Sequence, residues 1–236
     1  AVKVARTLAW GAAVVRCGGS AAEREAAAQQ LVETKGYTLV PPYDHPWIVA
    51  GQGTLGLEVA EALPEVANVL VPVGGGGLIG GAALARKALC PEAQVIGVEP
   101  ELAADAAESF AAGERRSWPA AATTRTVADG VRTQALGRLP FELVRRYVDG
   151  FVEVPEAHIL RAAAWYLREA KLLVEPTGAL TLAAYGLLAA GEVAGVRLRP
   201  GPSVLVVSGG NLEPQLAAQF AEMPPGASLD APSGTP

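Results

Sequence analysis

The chain has 236 residues, half of them hydrophobic and 18% charged, with a formal net charge of −5. That length allows one large domain or two small ones, and the composition is that of a globular α/β protein. The acidic balance excludes the basic footprint of a nucleic-acid binder, and no apolar run approaches the roughly 18 residues that suggest a membrane span.

Residues 2–9 pattern as a helix with no start signal before them, and residues 12–17 form a short apolar run that reads as a strand. Ser20 is placed to cap a polar helix reaching about Thr34, with Glu23 three residues on completing a capping box. Gly36 stops that helix, and residues 37–40 read as a second strand. Together these predict an α-β-α-β half of a parallel layer. Pro41 to Pro46 is a loop and a plausible domain crossing. Residues 1–46 are therefore expected to be the remainder of a smaller α/β domain, 47–222 a larger α/β domain, and 223–236 a flexible tail rich in Pro, Gly, Ser and Ala.

Further on, residues 50–63 read as a helix, 66–73 as a strand, 78–89 as a helix and 94–98 as a strand. A helix over 103–112, an irregular stretch over 115–125 and a loop over 126–131 follow. Residues 141–147 read as a helix and 150–154 as a strand. Pro155 starts a long helix to about Leu173, Glu175-Pro176-Thr177-Gly178 opens another to about Ala190, and 203–207 is the last strand.

The strand over 66–73 runs straight into Gly74, Gly75, Gly76 and Gly77, and Leu78 begins a helix. Glycines leave room for a ligand and reach positive φ. Their N–H groups, with the free N–H groups of the helix start, can converge on an anion. We read this stretch as a phosphate cradle. Gly75, Gly77 and Gly80 also fit G-x-G-x-x-G, with Glu99 some 20 residues further on, which is the dinucleotide fingerprint. Consecutive glycines, however, suit a tight cup for one terminal phosphate.

In a parallel sheet, ligands sit at the carboxyl ends of strands. The loops after Val73, Val98 and Val207 are therefore expected at one edge. Ser208 in Ser208-Gly209-Gly210-Asn211 can offer a hydroxyl to a ring nitrogen, or cap the final helix. Glu99, Glu101 and Asp105 suit a hard divalent cation, or simply a solvated helix start. Asp129 can accept backbone N–H bonds, and Glu175 can cap a helix or line the site. His45 and His158 are isolated in the sequence. Cys17 and Cys90 stand in no metal-type spacing. Two lone thiols fit a reducing compartment, and no signal-peptide shape opens the chain, so a cytoplasmic location is expected.

Six motifs, taken together, resemble a known group. They are Ala50-Gly51-Gln52-Gly53-Thr54, Val71-Pro72-Val73-Gly74-Gly75-Gly76-Gly77-Leu78, Gly97-Val98-Glu99-Pro100, Ala128-Asp129-Gly130-Val131, Glu175-Pro176-Thr177-Gly178 and Ser208-Gly209-Gly210-Asn211. Their order and spacing are similar to those of the serine/threonine dehydratases and serine racemases, pyridoxal 5'-phosphate enzymes of fold type II (tryptophan-synthase-β-like). The resemblance runs from about residue 3 to about 214. It implies an α/β fold of parallel-sheet layers with flanking helices. It implies that backbone amides of Gly74, Gly75, Gly76, Gly77 and Leu78 hold the cofactor phosphate, that Ser208 bonds the pyridine nitrogen, and that Gly130 lies against cofactor and substrate. It also implies a divalent-cation site, Mg or Ca, at Glu99, the Ala103 carbonyl and Asp105.

The implied activity is β-elimination of threonine or serine to a 2-keto acid and ammonia, or serine racemisation. The implied partners are a small hydroxy amino acid and a second copy of the chain, with no nucleic acid and no membrane. One departure stands out. The Ser-Phe-Lys-type segment carrying the Schiff-base lysine is absent, as is the Ser-Gly-Asn-His-type loop after it. None of Lys3, Lys35, Lys87 and Lys171 stands in such a context. The chain is thus expected to lack part of the N-terminal region and to be inactive alone. The alternatives are a non-catalytic module binding a phosphate ligand, and a dinucleotide-binding oxidoreductase.

Overall fold

The computed structural model describes residues 2–223. The expected tail therefore lies, from residue 224 on, outside the described residues. The helices are α1 (Val2–Ala9), α2 (Ala21–Lys35), α3 (Pro46–Ala62), α4 (Gly77–Leu89), α5 (Asp105–Ala112), α6 (Ala120–Thr123), α7 (Arg138–Tyr147), α8 (Glu156–Trp165), α9 (Pro176–Ala190) and α10 (Pro214–Glu222). The strands are β1 (Asn68–Pro72), β2 (Gln94–Pro100), β3 (Gly150–Val154) and β4 (Ser203–Leu205). They form one parallel sheet in the order β3-β2-β1-β4.

Every residue of β1 and β2 is buried, as expected of central parallel strands covered on both faces. Successive side chains of β1 point to opposite faces. Leu70 joins Ile96, Val152, Ile159 and Leu180 on the face covered by α8, α9 and α10. Val69 and Val71 join Val95, Ile79, Ala83 and Val144 on the face covered by α4 and α7. Helix α3 lies outside α4 at very close range. A Cβ on Gly56 would sit 2.5 Å from the Ala82 carbonyl oxygen, and one on Gly81 would overlap the Val49 carbonyl oxygen. These glycines let the helices touch backbone to backbone, and that contact sets α4 and the glycine loop at its start.

Several sequence expectations are corrected. Residues 12–17 and 37–40 form no strand, and none of them is buried. A strand needs a ladder partner for its N–H and C=O groups, and among the described residues neither segment pairs with one. The expected α-β-α-β half-layer is therefore reduced to two helices and two segments without a ladder partner. Strand β2 runs to Pro100, so Glu99 is inside the strand rather than after it. The long helix after Pro155 ends early. It continues from α8 as one π turn, Tyr166–Ala170, and stops where Lys171 takes φ 59°. The stretch expected to be irregular over 115–125 includes the one-turn helix α6. Helix α2 follows the sequence closely. Ser20 Oγ accepts the Glu23 N–H, Glu23 reaches back to the Ser20 N–H, and Gly36 ends the helix in the left-handed region at φ 68°. No described helix is long and apolar enough to cross a membrane.

Candidate functional site

Because all four strands are parallel, their carboxyl ends share one edge, and β1 and β4 are neighbours there. The glycine loop leaves β1 and the Ser208 loop leaves β4. Both line one cleft of about 600 Å³. Gly74, Gly75, Gly76, Gly77, Leu78, Gly130 and Ser208 all contribute to its wall, together with Thr177 and Glu175. A volume of that size suits a cofactor-sized ligand.

The cradle is built for close approach. Gly76 is the N-cap of α4 at φ +86°, and no side chain caps that helix. Among the described residues, no acceptor takes the N–H groups of Gly75, Gly76, Gly77 or Leu78. Free N–H groups at a helix start, backed by the helix dipole, attract an anion. A Cβ on Gly75 would overlap the Tyr43 ring, and one on Gly76 would lie 2.6 Å from Leu136 Cδ2. The glycines are thus required by close packing against Tyr43 and Leu136 as well as by the open N–H groups. The residues present fit a phosphate-bearing cofactor.

The support behind the loop was not legible in sequence spacing. Asp44 accepts the N–H groups of Arg138 (2.8 Å) and Leu139 (3.0 Å), capping α7 from 94 residues away. The Gly137 N–H then donates to the Gly75 carbonyl at 3.0 Å. Tyr43, beside Asp44, packs against Gly75 and Gly77.

The opposite wall is organised from the first turn of α9. The Gly130 N–H donates to Thr177 Oγ1 at 3.0 Å. The Asn211 N–H donates to Glu175 Oε2 at 2.9 Å. Lys3 Nζ reaches the rim, 2.7 Å from Asp129 Oδ1 and 3.3 Å from Glu175 Oε1. Burial disfavours the Lys3 charge, but the Asp129 hydrogen bond and the Glu175 charge outweigh it and raise its pKa. Ser208 is exposed within the cleft wall. It does not cap the last helix, because Glu213 holds that position. Among the described residues, no lysine lines the cleft.

The third expected loop, after β2, does not join them. Glu99 is fully buried, and its carboxylate accepts the N–H groups of Ala106 (3.2 Å) and Ala107 (2.7 Å) at the start of α5. It therefore cannot reach a ribose in the cleft, which removes the dinucleotide reading of G-x-G-x-x-G. Ala103 and Asp105 are buried beside it, and neither carboxylate oxygen of Asp105 has a hydrogen-bond partner. Burial pushes Glu99 well above the usual carboxylate range, and the Asp105 charge adds to this. Burial likewise pushes Asp105 up to about 7. Among the described residues, no group of three or more His, Cys, Asp or Glu side chains could hold a metal ion. Any cation there would draw on backbone carbonyls and water as well.

A cup of unpaired amides facing a hydroxyl across a parallel sheet edge is the architecture of a phosphate-anchored cofactor site, and the comparisons agree. The chain belongs to the pyridoxal-phosphate dependent enzyme family, whose model matches residues 1–209. It is 37% identical over 213 residues to the L-threo-3-hydroxyaspartate ammonia-lyase of Saccharomyces cerevisiae, covering 90% of this chain and 63% of that enzyme. It is 35% identical over 218 residues to the serine racemase of Schizosaccharomyces pombe, covering 92% of this chain and 65% of that protein. Among solved structures, a threonine deaminase from T.th. superimposes with a TM-score of 0.80 at 45% identity, covering 90% of this chain and 68% of that one. The chain thus spans a little under two thirds of the length of the two curated relatives.

Proposed function

We propose that this chain forms the phosphate and ring-nitrogen side of a pyridoxal-phosphate-dependent lyase acting on threonine or serine, with serine racemisation as a second reaction of the same site. One observation carries the reading. The unpaired amides of Gly75 to Leu78 and the Ser208 hydroxyl face one cleft from adjacent strand ends. The relatives named as ammonia-lyase and racemase, and the threonine deaminase structure, support it.

When bound, the cofactor supplies an electron sink that lets an α-proton leave and a β-hydroxyl depart. The chain's own residues do the rest of what this side of the site requires. The Gly74–Leu78 loop would hold the phosphate with its backbone dipoles. The Ser208 hydroxyl would donate to the ring nitrogen without giving it a full proton. A neutral hydroxyl, unlike a carboxylate, does not strongly favour the pyridinium form. Ser208 would therefore leave the ring a mild electron sink, which suits loss of a β-hydroxyl. Gly130, held by Thr177, leaves room beside the ring for the amino-acid substrate. Glu99, the Ala103 carbonyl and Asp105 would hold a Mg or Ca ion away from the cleft, and the ion would compensate the two buried carboxylates.

The cleft wall has no lysine, so the amine that holds the cofactor aldehyde is supplied by the third of the relatives' length that this chain does not span. We further propose that residues 1–46 belong to a smaller domain, that 47–222 form the cofactor-binding domain, and that the whole enzyme is a homodimer. Borohydride reduction with pyridoxal phosphate, followed by peptide mapping, tests the amine assignment. Non-covalent cofactor binding with no stoichiometric pyridoxyl-lysine is expected. A single adduct on Lys3 or Lys171 would overturn the assignment. Absence of binding would overturn the cofactor reading itself. The lysine-free wall also favours a second reading, a phosphate-ligand module without catalysis. Release of keto acid from serine after joining the remaining third of a relative's sequence would exclude it.

A further inference from the structure

The loop that carries Ser208 has few ties of its own. Strand β4 ends at Leu205, and the last sheet-like bond is the Val206 N–H to the Leu70 carbonyl at 3.1 Å. Thr181 Oγ1 then donates to the Val206 carbonyl at 3.2 Å. Beyond that point the loop is laid on Glu175. The Glu175 N–H donates to the Gly209 carbonyl at 3.1 Å, and its buried carboxylate accepts the Asn211 N–H at 2.9 Å. The fit is tight. A Cβ on Gly209 would sit 2.5 Å from Glu175 Oε1, and a Cβ on Gly178 would sit 2.7 Å from the Gly209 carbonyl oxygen.

We propose that Glu175 is the positioning residue for Ser208: its backbone N–H holds the Gly209 carbonyl and its carboxylate holds the Asn211 N–H, so the loop is clamped on both sides of Gly210 with the hydroxyl aimed at the cofactor ring nitrogen. This rests on the pyridoxal-phosphate reading of the cleft. Glu175 holds Ser208 through main-chain bonds and touches no reacting atom. Its Oε2 works as a hydrogen-bond acceptor, a role that glutamine can fill. Its contact with Lys3 through Oε1 is a separate matter that glutamine would abolish.

The test uses deoxypyridoxine phosphate, which has the ring nitrogen and phosphate but no aldehyde to react with stray amines, and its ring-carbon analogue without the nitrogen. Binding is followed by calorimetry on the full chain. Glu175→Ala is expected to weaken deoxypyridoxine phosphate by about three- to tenfold, the loss expected for one hydrogen bond. Ser208→Ala should match it, and the double variant should be no weaker than either, because the two residues act as one unit. Glu175→Gln should bind as the unaltered chain does. With the ring-carbon analogue all variants should bind alike.

Equal weakening of both analogues by Glu175→Ala, or multiplied losses in the double variant, would overturn the proposal. Failure of the unaltered chain to bind either analogue would overturn the cofactor reading alone. Amide exchange then still decides the clamp. The Asn211 N–H should exchange at least about tenfold faster in Glu175→Ala and unchanged in Glu175→Gln. Unchanged exchange in the alanine variant would overturn it.

Discussion

Residues 2–45 and the sheet region from Asn68 to Val206 are built from similar apolar-rich sequence, yet they end in opposite states. No residue from 2 to 45 is buried, whereas β1 and β2 are buried throughout. Helix α2 has a full capping box and a glycine stop, so its local chemistry is as good as any in the chain. Helix α4 has no side-chain cap at all, yet it sits in the core against α3 and α7. Capping is worth about 1 kcal/mol, while burying one large apolar side chain is worth about 1.5–3 kcal/mol. Local signals therefore decide where a helix begins, and burial decides whether it belongs to the cooperative fold.

The largest expected effect is in the sheet. Leu70→Ala should cost about 2–5 kcal/mol in urea unfolding, because Leu70 is fully buried between covered faces. A small loss there would break the contrast. Next comes the buried carboxylate pair. The folded state holds a proton on Asp105 up to about pH 7, while the unfolded chain loses it near 3.8. Stability contributed by Asp105 should thus fall as pH rises through that window, by up to about 1.4 kcal/mol per pH unit. Melts at pH 5 and pH 8 read this. Magnesium should raise the pH 8 melt, and Asp105→Asn should reduce the fall, leaving the part due to buried Glu99, and remove the magnesium response.

A smaller effect is expected in the cradle. Gly76→Ala must place a Cβ at φ +86° against Leu136 and Pro140. It should weaken deoxypyridoxine phosphate by at least about tenfold, equivalent to about 1.4 kcal/mol, with a retained far-ultraviolet helix signal. Smaller still is Ser20→Ala, which should cost α2 about 1 kcal/mol of local helix stability, seen as faster amide exchange. The main unfolding transition should not move. If it did, α2 would be part of the cooperative unit despite having no buried residue. Least of all, Leu39→Ala, at a side chain 51% exposed, should change stability by less than about 0.5 kcal/mol.

The legible parts of the site are those whose chemistry is local. Four glycines between an apolar run and a helical pattern declare a cup of amides, and Ser208 after an apolar strand declares a hydroxyl at a sheet edge. The illegible parts depend on pairs distant in sequence. Asp44 caps a helix 94 residues away, and Glu175 holds the Asn211 amide 36 residues away. Residues 12–17 carry a strand pattern, but a strand exists only where another offers its ladder. Glu99 looked available at a strand end, and the start of α5 took both its oxygens.

By itself, the sequence determined the family, the glycine loop between strand and helix, the serine loop after the last strand and most helix boundaries. Those rest on residue type, on spacing within a turn or two, and on six motifs kept in order. The sequence also placed three loops at one edge, but only the tertiary structure decided that the glycine loop and the Ser208 loop line one cleft, that the Glu99 loop does not, and that among the described residues no lysine lines it. The physical reason is the parallel order β3-β2-β1-β4. It makes neighbours of two strands far apart in the chain, paired as Asn68 with Ser203. No local pattern encodes which strand lies beside which.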